Sequence, residues 1–198
     1  MVFLLLGKVP FQWFSRSVSN ASGSILNGRG LIQQMAIPKP FFPLLVVAQD
    51  TVKQAIVFAL LLIVITSLGF PPGITWFAVP VLLVAQILLI TSVALIASAI
   101  TPYLPDFRFI VQTGMILLMF SSGLFYDYRQ VLLEKHKELF LLNPLARLID
   151  GYRDALMRDA WPDWSGIATM MLLSVAMIAL MLAYFRRKDA TYARLVIQ

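Results

Sequence analysis

Apolar runs alternate with polar or proline-rich breaks along the whole chain. Residues 76–100 form the clearest run, without a single ionisable side chain, and Trp76 stands at its edge, where tryptophan favours a membrane interface. A second run follows Pro105-Asp106-Phe107-Arg108 and ends on Phe125-Tyr126-Asp127-Tyr128-Arg129, with Gln112 as its main polar interruption. As a helix, its uncharged positions 109–126 extend roughly 27 Å, close to the hydrocarbon thickness of a bilayer. Residues 44–70 and 167–185 repeat the pattern. Asp50 and Lys53, near the start of 44–70, stand three apart, so one can partly neutralise the other.

Residues 3–26 are a more diluted run, carrying Ser15, Arg16, Ser17, Ser19, Asn20, Ser22 and Ser24. Periodicity still marks a helix there. Phe11, Phe14, Val18, Ala21 and Ile25 recur at threes and fours and share one face, while Ser15, Ser19 and Ser22 share another. Small hydroxylated residues let membrane helices approach closely. An arginine at mid-depth is costly against lipid, so Arg16 must lie inside a bundle or face a polar conduit. The pattern thus predicts an all-α, polytopic membrane helix bundle with candidate spans 3–26, 44–70, 76–100, 107–126 and 167–185.

The breaks differ in kind. Residues 27–43 set a short helical piece, Leu31-Ile32-Gln33-Gln34-Met35-Ala36, behind Gly28 and Gly30 and ahead of Pro38, Pro40 and Pro43. Glycine and proline on both flanks predict a rigid knob suited to a partner. Pro71-Pro72-Gly73 makes an uncharged turn. Residues 127–163 form a charged, amphipathic cap whose apolar positions Val131, Leu132, Leu139, Phe140, Leu142, Leu145 and Leu148 predict two short helices broken near Asn143-Pro144. Arg186-Arg187-Lys188 opens a tail, 186–198, that reads as a stop signal. Together with Arg29, Lys39 and Arg108 it predicts a cytoplasmic side for the knob and tail, and an outer side for the cap.

Composition agrees with the pattern: 60% of the residues are hydrophobic, 13% are charged, and the mean hydropathy is +0.82. A net charge of +6 could suggest nucleic acid, but no basic cluster lies among exposed aromatics in a polar setting. Cysteine is absent, which excludes disulfides and thiolate metal sites. The apolar start lacks a basic region and a cleavage site, so no signal peptide is read there.

Catalytic signals are poor. His136, the only histidine, lies between Lys135 and Lys137 in a polar segment, as a solvent-exposed residue would. No glycine-rich phosphate loop is present, so ATP hydrolysis would need a separate partner. Asp150, Arg153 and Asp154 fall within about a turn, the arrangement of a charged surface helix. No metal site is expected. Aromatics are more telling: Phe11, Trp13 and Phe14 in the first helix, and Phe120, Phe125, Tyr126 and Tyr128 beyond the central span, collect towards the outer side. They make either an interfacial belt or a surface on which sugar rings stack, with Arg16 as a fixed positive charge.

The chain resembles the permease subunits of type-2 ABC exporters for polysaccharides and polyol-phosphate polymers: O-antigen, capsule and teichoic acid. Val9-Pro10-Phe11-Gln12-Trp13-Phe14-Ser15 looks like that family's start of its second span. Leu31-Ile32 with Ile37-Pro38-Lys39 and Pro43 is similar to its cytoplasmic coupling helix and the element after it. Asp106-Phe107-Arg108 matches the charged turn before its fifth helix, and Asn143-Pro144-Leu145-Ala146 with Tyr152-Arg153 matches the segment after its external re-entrant helices. Family members usually carry an interface helix and a first span ahead of these motifs, and this sequence shows neither. Pro105 stands where an arginine commonly precedes the aspartate, and Ser121-Ser122-Gly123 where a proline is frequent.

The resemblance implies a multi-pass permease of the cytoplasmic (inner) membrane, a transport subunit and no enzyme. A second copy would complete a homodimer, and two ATPase subunits would bind ATP and magnesium, leaving no cofactor on this chain. The cargo would be a lipid-linked glycan or polyol-phosphate polymer, with no nucleic acid. Phe11, Trp13, Phe14, Arg16, Phe120, Phe125, Tyr126 and Tyr128 would line the channel. Arg29, Leu31, Ile32, Gln33, Gln34, Ile37, Pro38 and Lys39 would couple to the ATPase. The rival readings are a permease of the same architecture for a drug or lipid, and a membrane-embedded transferase.

Overall fold

The computed structural model describes residues 1–34, 37–127, 129 and 140–197, with side chains at all of these except Ile32, Gln33 and 189–197. The described residues form helices and no strand: α1 (Val2–Ser22), α2 (Ser24–Asn27), α3 (Arg29–Gln34), α4 (Phe41–Ser67), a 3-10 turn (Ile74–Ala78) running into α5 (Val79–Ile100), α6 (Phe107–Ser121), α7 (Pro144–Met157) and α8 (Trp164–Ile197). The protein is an all-α, polytopic bundle. Among the described residues, three segments are long and apolar enough to cross a membrane: Phe41–Ser67, Ile74–Ile100 and Trp164–Lys188.

The polar-diluted first helix is central. α1 packs against α4, α5, α6 and α7. The face carrying Phe11, Phe14, Val18 and Ala21 is buried, as its spacing predicts. Leu61 and Ile65 of α4, Leu82 and Ile90 of α5, and Leu145 and Leu148 of α7 complete that core. Inside a bilayer such burial exchanges lipid contact for protein contact, so close packing rather than water exclusion holds the helices. Ala85, Ala94 and Ser98, all buried on α5, are the small residues that allow it.

Boundaries shift where local chemistry dictates. Pro43 lies inside the first turn of α4 rather than ahead of it, because first-turn amides have no helical partner to lose. The helix expected over 107–126 ends at Ser121, because Gly123 takes a φ of +65°, a left-handed conformation that breaks a helix. Its 15 residues extend about 22 Å, short of the roughly 30 Å hydrocarbon core. The final helix continues past 185, its backbone helical through the basic triplet to Ile197.

The two ends of the bundle are distinct. At one end α7 and the 3-10 turn close over the N-terminus of α1. At the other, Ile25, Phe42, Leu95, Ala99, Met181 and Phe185 form a second core beneath α2 and α3. There the Phe42 ring fills the space that a Cβ on Gly28 would need, which seats the elbow formed by α2, Gly28 and α3 on the start of α4.

Candidate functional site

α7 is built to be held. Asn143 caps it, its side-chain oxygen accepting from the amides of Leu145 (3.0 Å) and Ala146 (3.5 Å), with Pro144 in the first turn. The Asn143 amide also donates to the Ser122 hydroxyl at 3.2 Å, tying this start to the end of α6. On one side Tyr152 donates to Gln86 Oε1 at 2.9 Å, and Gln86 Nε2 donates to the Pro10 carbonyl at 2.7 Å. On another, Arg153 donates to the carbonyls of Gly123 (2.9 Å), Leu124 (3.1 Å) and Phe3 (3.3 Å), its guanidinium 3.5 Å from the centre of the Phe3 ring. Burial lowers the Arg153 pKa to about 10, an effect that Asp150 partly opposes, so the group stays charged at neutral pH.

A third side carries a charge network. Asp150 and Asp154, one turn apart, both accept from Arg129 (2.7 Å each) and from Arg158 (2.8 and 2.9 Å). Arg158 also reaches Asp127 at 2.9 Å. Burial works against the Arg158 cation, yet the hydrogen bonds it donates to Asp154 and Asp150 outweigh it and raise the pKa. Asp150, Arg153 and Asp154 are all buried, which corrects the expectation of a solvated surface helix. The two acids are held by Arg129 and Arg158, and Arg153 by the carbonyls of Phe3, Gly123 and Leu124.

A polar groove runs beside this cap, along the exposed face of α1. Its cap-side half is a cavity of about 590 Å³ lined by Lys8, Phe11, Gln12, Ser15, Arg16 and Ser19, with Met119, Leu124 and Phe125 opposite. The far half, about 410 Å³, shares Ser19 and continues past Asn20 and Asn27 to Asp50, Lys53, Arg108 and Gln112. The two halves follow α1 for about 21 Å from Lys8 to Ser22, most of the way across a bilayer core. Among the described residues, Asp50 is the one carboxylate lining them, and it accepts from Asn20 at 3.0 Å and Lys53 at 3.4 Å. The cations Lys8, Arg16 and Arg108 give the groove a positive balance.

Of the expected channel residues, Phe11, Arg16 and Phe125 line this groove, and Phe120 stacks beside Phe125 with ring centres 5.8 Å apart. Tyr126 packs against Phe140 at 6.1 Å. Trp13 and Phe14 do not reach the groove. Trp13 turns inward to the Phe58 ring (6.2 Å), and Phe14 is buried, because neighbours surround α1 on more than one side. Tyr128 lies outside the described residues, as do Val131, Leu132, His136 and Leu139. Of the expected coupling residues, Arg29, Leu31, Gln34 and Pro38 are exposed at the far end and Ile37 is half-buried. Lys39 is buried and belongs to the elbow's seat rather than its tip. The side chains of Ile32 and Gln33 lie outside the described set. Sequence reasoning missed Lys8 and Gln12, although their spacing of four, continued by Ser15, Arg16 and Ser19, is a helical face.

Residues 8–157 match the ABC-2 type transporter model. The chain belongs to that family. Similar proteins include two O-antigen export system permease proteins RfbA of Klebsiella pneumoniae, 22% and 21% identical over 98% of this chain and 75% of theirs. Another, the RfbA of Myxococcus xanthus, is 25% identical over 96% of this chain and 74% of its own. An ABC-2 family chain with these apolar helices is a multi-pass membrane permease, a transport subunit rather than an enzyme.

Proposed function

We propose that the chain is the permease of an exporter that carries a lipid-linked O-antigen-type polysaccharide across the cytoplasmic membrane, driven by ATP hydrolysis on two separate subunits. The observation that carries this reading is the groove along α1. Lys8, Gln12 and Arg16 are exposed on a helix at the heart of a membrane bundle. Such a face is costly against lipid, at roughly 2.5–3.5 kcal/mol for a central arginine. A second copy that turns the same face inward removes that cost and encloses a conduit. Phe125 and Phe120 offer ring faces to sugars at the cap end, and the cations suit a phosphate link or acidic sugars.

The names of the relatives supply the cargo class. Exposed Arg29, Leu31 and Gln34 on α3 are the contact for the ATPase, which binds ATP and magnesium, so this chain carries no cofactor.

The test is complementation. A strain lacking its O-antigen permease receives this chain with its cognate ATPase, and surface polysaccharide is measured against permease in the inner membrane. Surface polymer dependent on an active ATPase is expected. Polymer that stays inside, with permease and ATPase assembled, sinks the cargo assignment.

A further inference from the structure

Sharing no lining residue with the groove, α5, α8, the start of α7 and the residues just before it enclose a second cavity of about 560 Å³. It runs along α8 from Ser165 to Met177, about 18 Å, and thus from the helix start towards the middle of the Trp164–Lys188 span. One leaflet's hydrocarbon is about 15 Å deep, half of the bilayer core. Trp161 and Trp164, with ring centres 6.2 Å apart and both exposed, stand at the start of α8, where tryptophan marks a membrane interface.

The walls are graded. Leu89, Val93, Ile96 and Leu173 line the cavity's deeper part. The hydroxyls that face it are largely occupied: Ser92 donates to the Leu89 carbonyl (2.8 Å) and Thr169 to the Ser165 carbonyl (2.8 Å). Among the described lining residues, charge sits at the mouth alone. There Arg147 donates from Nη1 to Asp163 at 2.7 Å and from Nε to the Leu141 carbonyl at 3.1 Å. The guanidinium lies directly on Gly166, in space that any Cβ would occupy. A place is therefore kept for it. Asp163 holds its own position as the helix cap, accepting from the Ser165 hydroxyl (2.6 Å) and the Gly166 amide (3.2 Å). The Ser165 hydrogen bond leads in holding its pKa below the usual carboxylate range, so it is ionised at neutral pH.

We infer that this cleft is a binding site for an ethanolamine phospholipid of the cap-side leaflet, one acyl chain in the cleft, the phosphate on Arg147 and the ammonium on Asp163. The depth fits a single leaflet's chain. The mouth pairs one cation with one anion, which matches a zwitterionic headgroup and gives no advantage to an anionic one. A choline headgroup has no N–H to donate to the carboxylate. This site does not depend on what the groove carries.

The full chain, purified in mild detergent and offered equal amounts of phosphatidylethanolamine, phosphatidylglycerol and phosphatidylcholine, would be examined by native mass spectrometry. Retention of the ethanolamine lipid about tenfold over the others is expected, the equivalent of one charge-assisted hydrogen bond. Arg147→Gln should abolish that preference. Gly166→Ala, a favourable change for a helix, should do the same by displacing the guanidinium. Asp163→Asn keeps a good helix cap but removes the ammonium's partner, so it should shift preference to phosphatidylglycerol. Equal retention of all three lipids by the wild type would indicate a lipid shell only and overturn the site. So would an unchanged ethanolamine preference in Gly166→Ala and Asp163→Asn.

Discussion

Tyr152 donates its hydroxyl hydrogen to Gln86 at 2.9 Å, in a place where both side chains are shut off from solvent. Gln86 in turn satisfies the Pro10 carbonyl, so one chain of hydrogen bonds links α7, α5 and α1. Tyr152→Phe should leave Gln86 Oε1 unpaired and cost about 1–3 kcal/mol. Adding Gln86→Leu should cost less than the sum of the two single changes, because the partners disappear together. Thermal unfolding of the purified variants reads both effects. Additive losses would mean that the bond contributes nothing.

The charge network makes a sharper claim. Asp150 and Asp154 hold Arg129 and Arg158, which lie at opposite ends of the cap sequence. Replacing both acids by asparagine removes the two carboxylates shared by Arg129 and Arg158, leaving Asp127 opposite Arg158. The acids are buried but Arg129 is 41% exposed, so the loss should cost less than the roughly 3–5 kcal/mol of a fully buried pair. Cleavage by a protease added from the cap side should therefore rise sharply within 127–158, with the spanning helices still protected. A cap as resistant as the wild type would show that solvent, not the acids, neutralises the arginines.

Much of this was legible beforehand, for a reason that also explains the failures. Phe11, Phe14, Val18 and Ala21 obey helical spacing, so the buried face of α1 can be read from the chain alone. Trp13 and Asp150 cannot. Trp13 falls off that stripe and is buried because Phe58 of α4 meets it from another direction. Asp150 reads as solvated because its partners, Arg129 and Arg158, are 21 and 8 residues away and only the fold brings them together. Periodicity reports one face at a time. The groove shows the same limit: its α1 side is a spacing, but its other wall comes from α4, α6 and the turn after Gly123.

The elbow yields a prediction that depends on exposure. Leu31, 47% exposed on a six-residue helix, stands over a seat formed by Phe42 against Gly28. Leu31→Asp should not affect the fold, since it lies outside both cores. It should uncouple: permease and ATPase reach the membrane, but export falls and transport-stimulated ATP hydrolysis is lost. Gly28→Leu should do more, pushing the elbow off the Phe42 ring. Normal export by both variants would remove the elbow from the coupling path.

Groove and core aromatics should separate cleanly. Trp13 is 3% exposed and touches Phe58, so Trp13→Ala opens a cavity in the bundle and should cost about 3–5 kcal/mol, lowering the amount of folded permease. Phe120 and Phe125 are 58% and 53% exposed and stack on each other at the cap end of the groove. Their replacement by alanine removes ring faces without opening the core, so thermal stability should hold. Export should slow by about twofold to tenfold per aromatic, the equivalent of the roughly 0.5–1.5 kcal/mol such contacts supply. Weak, repeated contacts are what a conduit needs, because a polymer held tightly at any one place stops moving. Arg16→Gln, on the same groove, should slow an acidic or phosphate-linked polymer more than a neutral one. The deciding measurement is surface polymer per folded permease for all four variants. If Phe120→Ala and Phe125→Ala export at the wild-type rate, alone and combined, the exposed rings are an interfacial belt and the cargo path lies elsewhere.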